Sequence, residues 1–238
     1  IVYDNSSLFM LNNSPFDVEN TRQILATDNK SENFKRTYSL KFQEIKDLNT
    51  GRLWDRLNSS EIVNSHSNPM AFDRLSTIHS WIREEGYINK DNKLLDIGFG
   101  QAYLEYLTSN NSEARNLKLY GIDISSKSVL RAKKRFPYWS FQVGNILRLG
   151  FMSNFFDCVT ILEVMEHIQP HFTFAALKEV YRVLKKGGTA IFSVPLNENL
   201  EEMILRGCNP NAHVRLYTPE IVNMELKISG FMIKKIKL

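Results

Sequence analysis

Apolar positions along the chain follow two different rhythms. Before Asn92 they recur at helical spacing: Phe34, Tyr38, Phe42 and Ile45 predict one helix, and Leu53, Trp54 and Leu57 continue an apolar face after the break at Asn49-Thr50-Gly51. Phe72, Leu75, Ile78 and Ile82 predict a third helix that ends near Gly86. Beyond Asn92 the rhythm becomes strand then helix, repeated. Strands are predicted over Lys93 to Ile97, Leu117 to Ile124, Trp139 to Val143, Phe156 to Leu162, Thr189 to Val194 and Phe231 to Leu238. Between them, helices are predicted over Ala102 to Thr108, Ser128 to Phe136 and Pro219 to Ser229, and a further one carries the stripe Leu177, Val180 and Leu184 and stops at Gly187-Gly188. The first 30 or so residues, rich in Asn, Ser and Asp around the short cluster Leu8 to Leu11, read as an arm that orders only by docking.

Alternation of this kind implies βαβ crossovers and an α/β fold: a doubly wound, mostly parallel sheet of six to seven strands. Residues 93–238 would form this core and residues 1–92 an N-terminal arm and helical cap. Ligands of such sheets bind at the carboxyl ends of the strands, where the strand order switches. The length of 238 residues suits one large domain with an appendage. Thirty basic and 26 acidic residues leave a charge of +4, short of the dense basic face of a dedicated nucleic-acid binder. The two cysteines, Cys158 and Cys208, make no disulfide framework, no cationic leader precedes an apolar stretch, and no apolar run reaches the ~18 residues of a membrane span. A cytoplasmic protein with no membrane span is expected, and the oligomeric state stays open. The opening on Ile1 rather than methionine leaves room for a trimmed chain.

Chemistry concentrates at two strand ends. Leu95-Asp96-Ile97-Gly98-Phe99-Gly100-Gln101-Ala102 places Gly-x-Gly at a strand-to-helix turn, where missing side chains let backbone approach a ligand. A dinucleotide fingerprint wants a third glycine at the position held by Tyr103, which disfavours NAD. Asp96 at the strand end would repel a pyrophosphate and attract an ammonium group. Asp123, 25 residues after Gly98 and at the end of the second strand, is placed to accept both hydroxyls of a ribose; the competing reading, an N-cap, has Ser125 and Ser126 as better candidates.

Leu95 to Gly100, Gly121-Ile122-Asp123-Ile124-Ser125, Phe156-Asp157-Cys158-Val159 running to Glu166-His167-Ile168, and Arg182 to Gly188 resemble, in order and spacing, successive motifs of class I S-adenosylmethionine (AdoMet)-dependent methyltransferases. The resemblance covers about Lys93 to Val194, and His213 to Thr218 with the following helix and strand are similar to the family's C-terminal part. It implies AdoMet as cofactor and S-adenosylhomocysteine (AdoHcy) as product. Gly98 and Gly100 would pass beneath the methionine part, Asp96 would sit near its amino group, Asp123 with Ile124 would hold the ribose, and Asn145 with Ile146 would meet the adenine, with Leu162 at the end of the fourth strand. Departures from the family pattern are Ala102 where glycine is common, Asn145 in place of an aspartate, and one final strand where the family adds two.

The methyl of a sulfonium is already electrophilic, so alignment and exclusion of water supply most of the catalysis, roughly 7–11 kcal/mol. A positioned base would add roughly 10²–10⁴-fold. The candidates cluster after the fourth strand, Glu163, Glu166 and His167, with His213 arriving from the loop before the last helix, and His167, Glu166 and His213 are preferred; His66, His79 and His171 read as surface or cap positions. The expected reaction is methylation of a small-molecule acceptor at oxygen or nitrogen, with no nucleic acid and no resident metal. Two alternatives accompany it. Glu163-x-x-Glu166-His167 with His213 is similar to the metal-binding set of RNA 3′-end 2′-O-methyltransferases, with Arg131, Lys133, Lys134, Arg135, Lys234, Lys235 and Lys237 as phosphate contacts. A non-catalytic AdoMet-binding or scaffold protein is the other.

Overall fold

The computed structural model describes residues 6–12, 49–58, 69–89, 91–196, 212–214 and 217–237, with backbone alone at 6–12, 69–71, 113, 115, 170 and 220. The helix expected around Phe34 to Ile45, His66 and Cys208 lie outside the described residues. Strands β2 (Lys93–Ile97), β3 (Lys118–Asp123), β4 (Ser140–Val143), β5 (Phe156–Leu162) and β6 (Leu184–Pro195) pair in parallel in the order β4-β3-β2-β5-β6. The doubly wound α/β architecture read from the alternation is therefore the one observed.

Side chains alternate across each strand, so both faces of this sheet must be covered. Leu94, Cys158 and Ile191 point to the face packed by α2 (Pro69–Glu84), α3 (Tyr103–Ser109) and α4 (Ser126–Arg135). Leu95, Val159 and Ala190 point to the opposite face, covered by α5 (Thr173–Val183) and α6 (Pro219–Ile228). Helix α2 belongs to the body of the fold: Ile78 and Ile82 are 0% and 1% exposed. Burying each contributes about 1.5–3 kcal/mol. Outside this frame α1 (Gly51–Leu57), begun by Thr50 whose side chain accepts from Leu53 N, is the other described helix of the N-terminal region.

One boundary differs from expectation. Helix α5 ends at Val183 and Leu184 already opens β6, paired with Phe156, so Lys185 to Gly188 do not close the helix. They form an irregular step in the strand, where Gly187 has φ 77° and Lys185 Nζ meets Asp157 Oδ1 at 2.7 Å instead of a helix end. Burial of Leu184, 0% exposed, against the sheet overrides the local stop signal.

The strand missing from the C-terminal part has a counterpart at the other end of the chain. Residues Ser6–Asn12 form β1, antiparallel both to β6, with Ser6 opposite Pro195 and Asn12 opposite Thr189, and to β7 (Met232–Lys237). Among the described residues the sheet thus has seven strands, order β4-β3-β2-β5-β6-β1-β7. Strand β7, among the described residues, pairs with β1, which meets the need of its backbone groups for partners.

The lysines of β7 are engaged within the molecule. Lys234 pairs with Glu85, Lys237 Nζ lies 3.0 Å from Thr77 Oγ1 and 3.9 Å from Asp73, and Lys235 sits 4.7 Å over the Trp81 ring. Arg131 donates to the Asn58 carbonyl and Arg135 stacks 4.7 Å over Tyr106. These residues, counted above as phosphate contacts, tie helices and strands together; Lys133 and Lys134 are exposed.

Candidate active site

The strand order switches between β2 and β5, whose carboxyl ends carry the glycine turn and the Glu163 to His167 turn. The glycine turn is built from left-handed backbone. Gly98, Gly100 and Ala102 have φ of 75°, 52° and 59°. A Cβ on Gly98 would overlap Val164 Cγ2 from the neighbouring turn. Gly98→Ala therefore combines left-handed strain with a clash and is expected to cost about 2–3 kcal/mol of stability in urea unfolding. Val164→Ala in the same chain should recover about half of that, which separates the overlap from the backbone strain. Ala102 keeps its left-handed backbone despite its methyl, which is packed into the core at 4% exposure.

Asp123, 5% exposed, holds this turn from β3. Its Oδ2 accepts from Gly100 N at 2.8 Å and its Oδ1 from Ser125 N at 2.7 Å. It does not cap α4; Ser125 does, accepting from Ser128 N at 3.1 Å. Burial raises the Asp123 carboxyl, and the two backbone amides pull it back. Each oxygen keeps a lone pair for a ligand hydroxyl. Asn145 is exposed and spends its Oδ1 on Leu147 N at 2.9 Å, which leaves one carbonyl lone pair and the amide hydrogens. Ile146 is buried at 4% in the core beneath, while Ile124 and Leu162 are half-buried.

Helix α1 is pinned directly beside this turn by a residue that sequence reasoning did not single out. Asp55 accepts from Ser125 Oγ at 2.7 Å, Lys127 N at 2.9 Å and Ser126 Oγ at 3.0 Å. The bond from the Lys127 amide, then that from Ser125, holds its carboxyl below the ordinary range. Asn58 Nδ2 adds a bond to Ser128 Oγ at 3.2 Å, and Gly51 comes so close that a Cβ there would stand 2.7 Å from the Ile124 carbonyl. Asp55 gave no local signal because its partners lie about 70 residues away.

On the β5 side, Glu163 turns away from the candidate catalytic group. With φ 53°, its N–H donates to Ser193 O at 3.0 Å, its Oε1 accepts from Ser193 Oγ at 2.7 Å and its Oε2 lies 3.6 Å from Arg74. Glu166, His167 and His213 come together instead, with one ligand-type atom of each within 4.8 Å of the others. His167 Nε2 is 3.7 Å from Glu166 Oε1, and the His167 ring meets His213 at 4.9 Å and Trp54 of α1 at 4.7 Å, both edge to face. Val214 N donates to Glu166 O at 3.0 Å and Asn49 Nδ2 to Ala212 O at 3.1 Å, so one backbone bond and one from a side chain, on either side of it, deliver His213 to the group. Burial, and then the neighbouring His213, push the His167 imidazole down to about 3, opposed by a backbone bond at Ala212. His167 is thus a neutral ring at physiological pH. Among the described residues no helix is long and apolar enough to cross a membrane.

Residues 95–192 match the family description "Methyltransferase domain". A demethylmenaquinone methyltransferase of Streptomyces griseus is 30% identical over 135 residues, 54% of this chain and 56% of that protein. An uncharacterized methyltransferase of Schizosaccharomyces pombe is 27% identical over 130 residues, 48% of this chain and 46% of that protein. The chain spans about half the length of these curated relatives. Among solved structures, an Archaeoglobus fulgidus SAM-dependent methyltransferase superposes with a TM-score of 0.52 at 20% identity, covering 66% of this chain and 69% of that one. A [4+2]-cyclase shares the fold equally well, with a TM-score of 0.51 at 20% identity over 64% of this chain and 55% of that one. Motif order, family match and sheet topology agree: residues 95–192 match a methyltransferase domain, on a sheet with the class I, Rossmann-like fold.

Proposed function

We propose that this chain transfers a methyl group from AdoMet to oxygen or nitrogen of a small-molecule acceptor. The observation that carries the reading is the pair of buried carboxyls, Asp96 and Asp123 at 2% and 5% exposure, that flank a glycine turn in left-handed backbone where Gly98 leaves no room for a Cβ. A ligand with an ammonium group and a ribose diol fits such a set, and a pyrophosphate does not. When bound, AdoMet supplies an electrophilic methyl on sulfur. Asp96 would hold the ammonium end, Asp123 the ribose, Gly98 and Gly100 would admit the methionine portion, and Asn145 and Ile146 would border the adenine. Helix α1 would exclude water from above, with Trp54 as a wall shared with the acceptor.

The acceptor's proton needs a destination, whether a hydroxyl loses it as oxygen attacks or an ammonium group loses it before its nitrogen can attack. His167, pushed down to about 3, is poorly matched to take it. The proton goes in this reading to His213, which meets the His167 ring at 4.9 Å, with neutral His167 and Glu166 setting its orientation. Calorimetry with AdoHcy tests the cofactor part. Asp123→Ala, which strands two ribose hydroxyls and the Gly100 and Ser125 amides, is expected to weaken binding by at least tenfold. Unchanged affinity would refute the ribose assignment. A thermal-shift series with AdoHcy plus sugars, amines, quinols and lipids addresses the acceptor; the quinone-type substrate in the name of the Streptomyces relative puts quinols first.

The cluster of Glu166, His167 and His213 also favours a second, metal-assisted reading, since one carboxylate and two imidazoles suit a divalent transition metal. An RNA 2′-hydroxyl acceptor would draw on Glu163 as well, and that side chain is tied to Ser193 and Arg74. Methyl transfer indifferent to a chelator would set the metal reading aside.

A further inference from the structure

Beneath the glycine turn lies a second carboxyl that the proposed reaction does not use. Glu105 stands in the first turn of α3, 0% exposed, and its two oxygens meet no N–H or O–H donor of another residue. Facing it is Asp96, whose Oδ1 accepts from Thr160 Oγ1 at 2.7 Å and which is itself 2% exposed. The other ionisable neighbours do nothing to balance two negative charges: Asp123 from β3 is a further anion, and the Cys158 thiol from β5 is buried and stays protonated. Two carboxylates cannot bond each other, but a carboxyl and a carboxylate can, and their burial without a cation would otherwise be very costly.

We propose that Asp96 and Glu105 share one proton in the empty protein and release it to solvent when they receive the ammonium group of the cofactor. The inference rests on the AdoMet reading above. Burial first, and Asp123 after it, raise Asp96 to about 7 against its bonds with Thr160 and Glu105, and burial with the neighbouring Asp96 raises Glu105, so the exchange falls in the physiological range. One positive charge then replaces another: the protonated pair plus an ammonium ion gives an ionised pair holding that ion, and a free proton. Glu105 is by this account a positioning residue, keeping Asp96 aimed at the ligand while no ligand is present.

Titration calorimetry of the whole chain with AdoHcy, in phosphate and in Tris, reads the proton directly. About one proton should be released at pH 6 and almost none by about pH 8.5, with affinity falling about tenfold per unit on the acid side. In Glu105→Gln, where an amide N–H bonds Asp96 without a proton, release should vanish and affinity should become flat with pH. Normal AdoHcy affinity with no proton release in the native chain would overturn the inference alone, and so would full release by Glu105→Gln. Absence of AdoHcy binding at every pH would bring down the functional reading together with it.

Discussion

Replacing His213 with glutamine is expected to lower the rate of methyl transfer by about 10²–10⁴-fold while AdoHcy affinity changes less than about threefold. The split follows from position. His213 is 6% exposed and reaches the carboxyl end of β5 from the segment before α6, where it contacts His167 rather than the glycine turn. In the proposed role it accepts the acceptor's proton, so its loss should lower the rate and leave Asp96, Asp123 and the turn intact. Steady-state release of AdoHcy with an acceptor from the panel measures the rate, and calorimetry measures the affinity. A rate unchanged by the substitution would show that the acceptor loses its proton elsewhere, and equal losses in both quantities would mean that His213 shapes the cofactor site.

Acidification should unfold the native chain through His167. In the unfolded chain its imidazole takes a proton near 6.5, whereas the folded protein holds it neutral down to about 3. Between these values the unfolded state binds the extra proton, so stability falls as pH is lowered through the window. The full contribution is roughly 4–5 kcal/mol at 1.36 kcal/mol per unit. Asp96 works the other way: raised from 3.8 to about 7, it binds more protons when folded and its contribution is lost as pH rises through that range. The two partly cancel, and the comparison that isolates the histidine is native against His167→Gln. Urea unfolding at pH 6.5 and 4.5 should show the native chain losing roughly 2–3 kcal/mol more than the variant over those two units. Parallel losses would mean that the His167 pocket admits a proton in the folded state.

The two histidines also mark what could be read along the chain. Glu166-His167 follows a strand of near-continuous apolar residues, Phe156 to Leu162, so its place at a strand end was legible from spacing. That His213, 46 residues later, meets the same ring depended on Ala212 in left-handed backbone at φ 54° and on the bond from Asn49. Neither leaves a periodic trace. The pairing of Glu105 with Asp96 was hidden for a related reason: Glu105 sits in a helix-forming run where a glutamate normally faces water.

By itself the sequence determined the alternation of strands and helices, the location of the glycine turn, the acidic residues at the ends of β2 and β3, and thereby the family. These features are local or periodic, and hydrophobic patterning with turn chemistry is sufficient to specify them. Tertiary structure alone decided the rest. It placed β1 between β6 and β7, about 180 residues from the first and about 220 from the second in the chain, because open strand edges take whatever backbone completes their hydrogen bonds. It fastened α1 to the start of α4 through Asp55, and it turned Glu163 toward Ser193 and away from Glu166. It also engaged the lysines of β7 with α2 and its C-terminal flank. Each of these outcomes is a competition among distant polar groups for a buried or half-buried partner, and its result depends on distances that exist only once the sheet has formed.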